Sequence, residues 1–319
     1  LETSQPNFEA GSFSDTTTLD SKVTFTLGAI NSPVGQNGEL LVEEGTKATY
    51  MMQSNLNTSF TGDDNLYVRL KTGNATDWQK AYTYGTYLSS SKGNADTVKI
   101  DKIWYTFPVG NHSFWVGPKI ENYYMHGTTP SIYKPVLKQF TLGGNGAAFG
   151  ASTNPGIGWA YKADNGWAIS SNAVSQSGDS TDGWGTRESK TSWATQIGYT
   201  QPNYSASVIV NMKYNGWDDS YYTTPLGKLR PTSAGVAGKG DSTNIGLRGW
   251  WRPDDDGSAI PSISLGFDTS ETDASTNSNT TAYFVGLQWQ DAFTPDDRVG
   301  LAFGQPQTRE DETVDPFSW

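Results

Sequence analysis

Apolar and polar residues alternate along most of the chain. From Leu19 to Ala29 one parity reads Leu19, Ser21, Val23, Phe25, Leu27, Ala29, and the other Asp20, Lys22, Thr24, Thr26, Gly28. The same period returns in the sets Leu66, Val68, Leu70; Ile103, Tyr105, Phe107; Ile157, Trp159, Tyr161; Trp193, Thr195, Ile197, Tyr199; Tyr283, Val285, Leu287, Trp289; and Val299, Leu301, Phe303. Side chains two residues apart share one face of a strand, so this period predicts β-strands with one apolar face. No long helical period competes with it. The alternation predicts thirteen strands, at roughly 19–30, 46–58, 65–72, 97–107, 113–117, 147–162, 167–174, 192–200, 204–213, 243–251, 260–269, 281–290 and 298–304.

The connections between these strands sort by length. Short turns at Thr61 to Asp64, Pro108 to Asn111, Ala163 to Gly166, Gln201 to Asn203, Arg252 to Ala259 and Asp291 to Asp297 alternate with long segments, about 31–45, 73–96, 118–146, 175–191, 214–242 and 270–280. A transmembrane antiparallel β-barrel has this arrangement, with tight periplasmic turns at one rim and long loops at the other. Sandwiches and propellers have no reason to sort their loops so strictly. The fold class expected is therefore all-β, a transmembrane antiparallel β-barrel. Residues 1–18 read as a periplasmic lead-in and 19–319 as the barrel. The loop 118–146, long and placed after the fifth strand, is the candidate to narrow the pore. Thirteen is an odd number, whereas single-chain bacterial barrels are even. The segment Gln305 to Trp319 reads as an acidic loop, so the expectation is a chain that lacks its last strands, with about sixteen in the complete barrel.

Composition supports that picture. The chain has 12 Trp, 16 Tyr, 13 Phe and 35 Gly, too aromatic for disorder. Its mean hydropathy of -0.56 suits a polar interior with apolar surface placed in lipid. No run of apolar residues reaches the length of a transmembrane helix. The chain begins at Leu1 with no basic and apolar leader, which predicts a removed signal peptide or a fragment. A net charge of -11 argues against nucleic acid as a partner. There is no cysteine, and His112 and His126 are the only histidines, so neither a thiolate site nor a typical zinc site is expected.

If the apolar parity faces lipid, the opposite parity places Lys22, Lys47, Arg69, Lys71, Lys102, Lys213, Arg248 and Arg298 in the lumen as pore-lining groups. A charge on the lipid face would cost about 2–4 kcal/mol near the midplane, which supports this assignment. Such a basic wall would set ion selectivity. In the candidate constriction loop the groups of interest are Lys119, Glu121, Tyr124, His126, Lys134 and Lys138, with His126 expected to be solvated. Tyr67, Trp104 and Trp250 share the luminal parity and offer a path for stacked sugars. Tyr50, Tyr105, Trp159, Tyr161, Trp193, Tyr199, Trp251 and Trp289 suit interfacial girdles. Asp254, Asp255, Asp256, Asp296 and Asp297 read as solvated acidic turns, without calcium-loop spacing. No nucleophile elbow, zinc-helix motif or phosphate loop is present, so no enzyme, metal or cofactor is expected.

Three segments resemble a known family. Asn7 to Leu19 is similar to the segment that opens the barrel of cyanobacterial outer-membrane porins, the iron-uptake members of the carbohydrate-selective porins. Leu56 to Leu66 and Ile103 to Gly110 are similar as well. The resemblance covers the N-terminal third in sequence and the remainder by strand pattern. It implies an outer-membrane channel for passive uptake of inorganic ions and small polar solutes, embedded in the lipid bilayer, with a homotrimer plausible. In trimeric general porins the third long loop folds into the barrel. Members usually carry an N-terminal S-layer-homology domain that binds the cell wall, which this sequence lacks. The alternatives are a sugar-selective porin, a soluble glycan-binding β-protein and an outer-membrane barrel enzyme.

Overall fold

A computed structural model describes residues 14–32, 40, 44–80, 86–144, 146–149, 153–176, 178, 180–217, 232–233, 236–237, 240–254, 259–273 and 279–309. Thirteen strands form one antiparallel sheet in which every strand pairs with the next in sequence. They are β1 (Thr17–Gly28), β2 (Lys47–Thr58), β3 (Asn65–Gly73), β4 (Lys99–Val109), β5 (His112–Ile120), β6 (Asn154–Lys162), β7 (Trp167–Ser175), β8 (Thr191–Gln201) and β9 (Tyr204–Lys213), then β12 (Ser242–Trp251), β13 (Ser262–Thr272), β14 (Asn279–Gln290) and β15 (Arg298–Arg309). A two-residue hairpin, β10 (Thr232–Ser233) with β11 (Val236–Ala237), lies in the β9–β12 connection. No helix among the described residues is long and apolar enough to cross a membrane.

The burial pattern is the reverse of a soluble protein's. On β8, Ser192, Ala194 and Gln196 are buried while Trp193 and Ile197 stand about half exposed. On β9 and β12, Asn211 and Asn244 are buried while Val208, Val210, Ile245 and Leu247 face outward. The outer face is apolar and suits lipid, and the polar residues lie inside. Outer aromatics cluster toward the short-turn rim. Phe107 stacks on Phe114 at 5.4 Å, His112 meets Tyr161 at 5.0 Å, and Trp167 meets Tyr199 at 5.2 Å. Trp159 Nε1 donates to His112 Nδ1 at 2.9 Å, which holds that imidazole in the belt.

Several boundaries differ from the sequence reading. The sixth strand starts at Asn154 and not at 147, because 146–149 belongs to the preceding loop and packs on the inner wall. β5 runs on to Ile120, so the long loop is 121–153. β15 continues through residues 305–309, which the acidic composition had suggested were loop. β13 and β14 also extend, leaving 273–278 between them, shorter than the 252–261 connection at the other rim. The sorting of loop lengths therefore fails at this last pair. The lead-in segment 1–13, Asp255, Asp256 and the tail 310–319 lie outside the described residues.

The sheet's edges are β1 and β15, and these do not pair with each other among the described residues. In hydrocarbon every backbone N–H and C=O must be paired, so both edges require strand partners there.

Candidate functional site

Register puts all eight basic residues of the predicted wall on one face. Gly28 pairs with Lys47 and Lys22 with Gln53; Gln53 pairs with Lys71, Asn55 with Arg69, and Arg69 with Lys102. Across the sheet, Lys213 pairs with Ser242, Arg248 with Ser207, and Arg298 with Gln290. Paired residues share a face.

The loop 121–153 lies on that inner face. Its backbone donors are taken up by the wall. Gly127 N–H donates to Ser170 Oγ (3.1 Å), Thr128 N–H to Gln196 Oε1 (3.0 Å), Ile132 N–H to Ser264 Oγ (3.2 Å) and Lys134 N–H to Gln288 Oε1 (2.8 Å). Its carbonyls accept from Asn172, Asn211 (3.0 Å), Lys213 (2.5 Å), Arg248 Nε (2.7 Å) and Trp250 Nε1 (3.0 Å). An irregular segment at this depth can persist only if its polar groups are satisfied in this way. One loop touching Arg69 on β3 and Gln288 on β14 also requires the sheet to curl around it.

Small residues in the wall let the loop lie flush. A Cβ at Gly158 would come 2.5 Å from Met125 Sδ, and one at Gly198 2.5 Å from the Thr128 methyl. At Gly286 and Gly300 it would meet the Tyr133 ring, and at Gly266 the Gly143 carbonyl. All five belong to the luminal parity. That series of glycines was visible in the sequence, and it marks where something packs on the wall.

The eight basic residues divide into two groups. Lys102, Lys213 and Arg248 are 0%, 1% and 4% exposed, and each binds the loop. Lys102 pairs with Glu121, Lys213 holds Ala147, and Arg248 holds Leu142 while pairing with Asp268 at 2.7 Å. These three anchor the loop and do not line open water. The others are more accessible. Lys47 pairs with Asp77 at 2.6 Å, Lys22 and Arg298 are exposed, and Arg69 and Lys71 are half-buried.

The loop residues divide similarly. Burial drives the Glu121 carboxyl up, but the Lys102 ammonium outweighs it and leaves the group below its ordinary value. Tyr124 Oη accepts from Arg69 Nη1 at 3.3 Å. Lys138 Nζ lies 4.7 Å from the Tyr87 ring centre, and burial lowers its ammonium. Lys134 is exposed. His126 is not solvated as expected: it is 8% exposed, 3.4 Å from Ser170 Oγ and edge-on to Phe149. Burial pushes its imidazole down to about 3. Lys119 is not in the loop. It sits on β5 opposite Ile103, on the outer face, because a β-bulge between Gly117 and Ile120 turns Ile120 inward.

The luminal aromatics do not form a file. Tyr67, Trp104 and Tyr124 stack from wall to loop at 4.2 and 4.8 Å, with Trp104 buried. Trp250 is used by Thr129. The acidic turns are self-contained: Asn203 Nδ2 donates to Asp254, and Asp297 accepts the N–H groups of Ala292, Phe293 and Thr294.

Sequence parity missed Asp101 and Lys99. A bulge between Arg69 and Leu70 makes Asp101 the extra residue of β4 and reverses the parity before it. Asp101 therefore reaches inward to Arg69 and Lys92, and Lys99 stands directly opposite Lys71.

No protein-family model and no curated protein sequence matches the chain. Solved structures do. The outer-membrane protein OmpT of Vibrio cholerae, in trimer form, superposes with a TM-score of 0.52 at 12% identity, over 93% of this chain and 79% of its own. Pseudomonas putida OprB gives 0.54 at 14% identity, over 92% and 74%. An anion-selective porin from Comamonas acidovorans gives 0.47 at 13%, over 90% and 80%. The fold is that of these outer-membrane β-barrels, by the two superpositions above 0.5. At identities this low the likeness concerns fold alone.

Proposed function

We propose that the chain forms a passive outer-membrane channel for inorganic ions and small polar solutes, with the loop 121–153 as its constriction. The observation that carries this reading is the tethering of that loop on the inner wall by Lys102, Lys213 and Arg248. A segment held inside the barrel at that depth reduces the open cross-section and brings its side chains to the solute path. Filtering is then by size and charge, with no covalent chemistry. Lys22, Arg69, Lys71 and Lys99 face that path and favour anions.

Closure of the barrel calls for strands between β15 and β1, about three for a barrel of about sixteen. The family resemblance in Leu56 to Leu66 and Ile103 to Gly110 supports a cyanobacterial porin of the iron-uptake type, with anchoring to the cell wall through a separate domain. The trimeric form of the Vibrio cholerae protein supports a homotrimer.

Liposome swelling tests the reading. Proteoliposomes are diluted into isotonic solutes of increasing size. The proposal expects fast swelling with small solutes and a fall with size, without saturation. Swelling that saturates with one sugar, and a current blocked by that sugar, would establish a sugar-selective channel. Impermeable liposomes containing the folded barrel would overturn the proposal.

A further inference from the structure

Lys71 and Lys99 are directly opposed in the β3–β4 register. Like charges placed opposite each other repel and destabilise a strand pair. Neither has an ion-pair or hydrogen-bond partner among the described residues. The carboxylates nearby are already engaged. Asp101 is bound by Arg69 and, at 3.2 Å, by Lys92, while Glu121 is bound by Lys102. Six cations, Arg69, Lys71, Lys92, Lys99, Lys102 and the loop residue Lys138, thus gather around two carboxylates, an excess of four positive charges. They stand on the inner face where the loop residue Tyr124 meets the wall, with Arg69 oriented by both Asp101 and Tyr124.

This frame has the chemistry of an anion site. Arg69 is held in place by hydrogen bonds and supplies a fixed positive field. Lys71, half-buried, and Lys99, exposed, each supply an amino group with up to three donors. A monovalent anion would relieve one of the two charges. A divalent tetrahedral oxyanion can take a donor from each lysine and offset both.

We propose that Lys71 and Lys99, on the Arg69–Asp101–Lys92 frame, form a binding site for an inorganic divalent oxyanion, such as phosphate or sulfate, in the pore. The site rests on the channel reading for its place on a solute path, but binding itself does not require conduction. Bound oxyanion competes with chloride for the same stretch of wall, so the chloride current falls as the site fills.

Two measurements on the folded full chain separate the ideas. Calorimetric titration with sodium sulfate, and separately with phosphate, reads binding directly in detergent. Planar-bilayer recording in KCl reads the effect of added sulfate on current. The expected result is saturable sulfate binding that weakens about tenfold in Lys71→Gln and again in Lys99→Gln, the worth of one charge-assisted hydrogen bond each. Lys71→Arg retains binding, and Lys119→Gln on the outer face leaves it unchanged. Sulfate should also reduce the wild-type chloride current in saturating fashion. Binding in a protein that conducts nothing would keep the site and overturn the channel. A conducting protein that binds neither sulfate nor phosphate, or binds them equally in Lys71→Gln and Lys119→Gln, would overturn the site.

Discussion

Lys213 on β9 donates to the carbonyl oxygen of Ala147 at 2.5 Å, and the lysine is 1% exposed. A strand residue predicted to line water is instead committed to the backbone of a loop. A charge that deep must be hydrogen-bonded. Lys213→Met should cost about 1–3 kcal/mol, because it leaves a buried carbonyl unpaired. It should also free residues 146–149, raising single-channel conductance and opening the loop to protease while the barrel stays folded. Unchanged conductance and proteolysis would show that the contact does not hold the loop.

Arg248 and Asp268 form the second anchor, both buried and 2.7 Å apart. Removing one partner strands the other charge. Arg248→Met should lower stability by about 3–5 kcal/mol, and the double change Arg248→Met with Asp268→Leu should recover most of it. Urea unfolding followed by Trp fluorescence measures both. A double variant as unstable as the single would mean that the loss comes from the arginine's bonds to Leu142 and Phe267.

Packing at the glycine series makes a separate prediction. Gly198→Val would drive a methyl into Thr128, and overpacking of this kind costs about 1–3 kcal/mol. The loop can yield while the sheet cannot, so the expected effect is displacement of 126–130, read as new proteolytic cleavage there. Gly249→Ala, on the outer face of β12 where the added methyl meets only the Ser205 carbonyl at 3.5 Å, should leave the loop protected. Equal cleavage in both variants would contradict the packing argument.

His126 gives a pH dependence whose sign follows from burial. Its folded value of about 3 lies below the ordinary 6.5. The neutral imidazole is favoured on folding, so its contribution is fully present above about 6.5. That contribution is lost as pH falls toward 3, at about 1.4 kcal/mol per pH unit for one proton. His126→Phe should remove this slope. Parallel stability–pH curves for wild type and variant between pH 6.5 and 4 would refute it.

The barrel was legible in the sequence because lipid outside and polar groups inside impose a period of two. Val23, Phe25 and Leu27 and their counterparts report it directly. The luminal face of Lys213 and Arg248 followed from the same parity, but their role did not. Parity says which way a side chain points, and only the fold says what fills the space there. The glycines at 158, 198 and 266 carried that information. Asp101, Lys99 and Lys119 were missed for another reason. β-bulges in β4 and β5 shift the period by one residue; no residue type in Ile100–Asp101–Lys102 announces the first, whereas Pro118, which cannot donate to the ladder of a central strand, marks the second. The His126 environment was unreadable because its partners, Ser170 and Phe149, come from distant segments.

The proposed channel is a water-filled barrel narrowed by the loop 121–153 and lined by basic side chains. Single-channel recording in a planar bilayer under a KCl gradient reads both the opening and its selectivity. Stepwise currents are expected, with a reversal potential on the chloride side and a larger step in Lys213→Met. A reversal potential on the potassium side would contradict control by the basic wall. A folded, heat-modifiable barrel that gives no steps would contradict the channel itself.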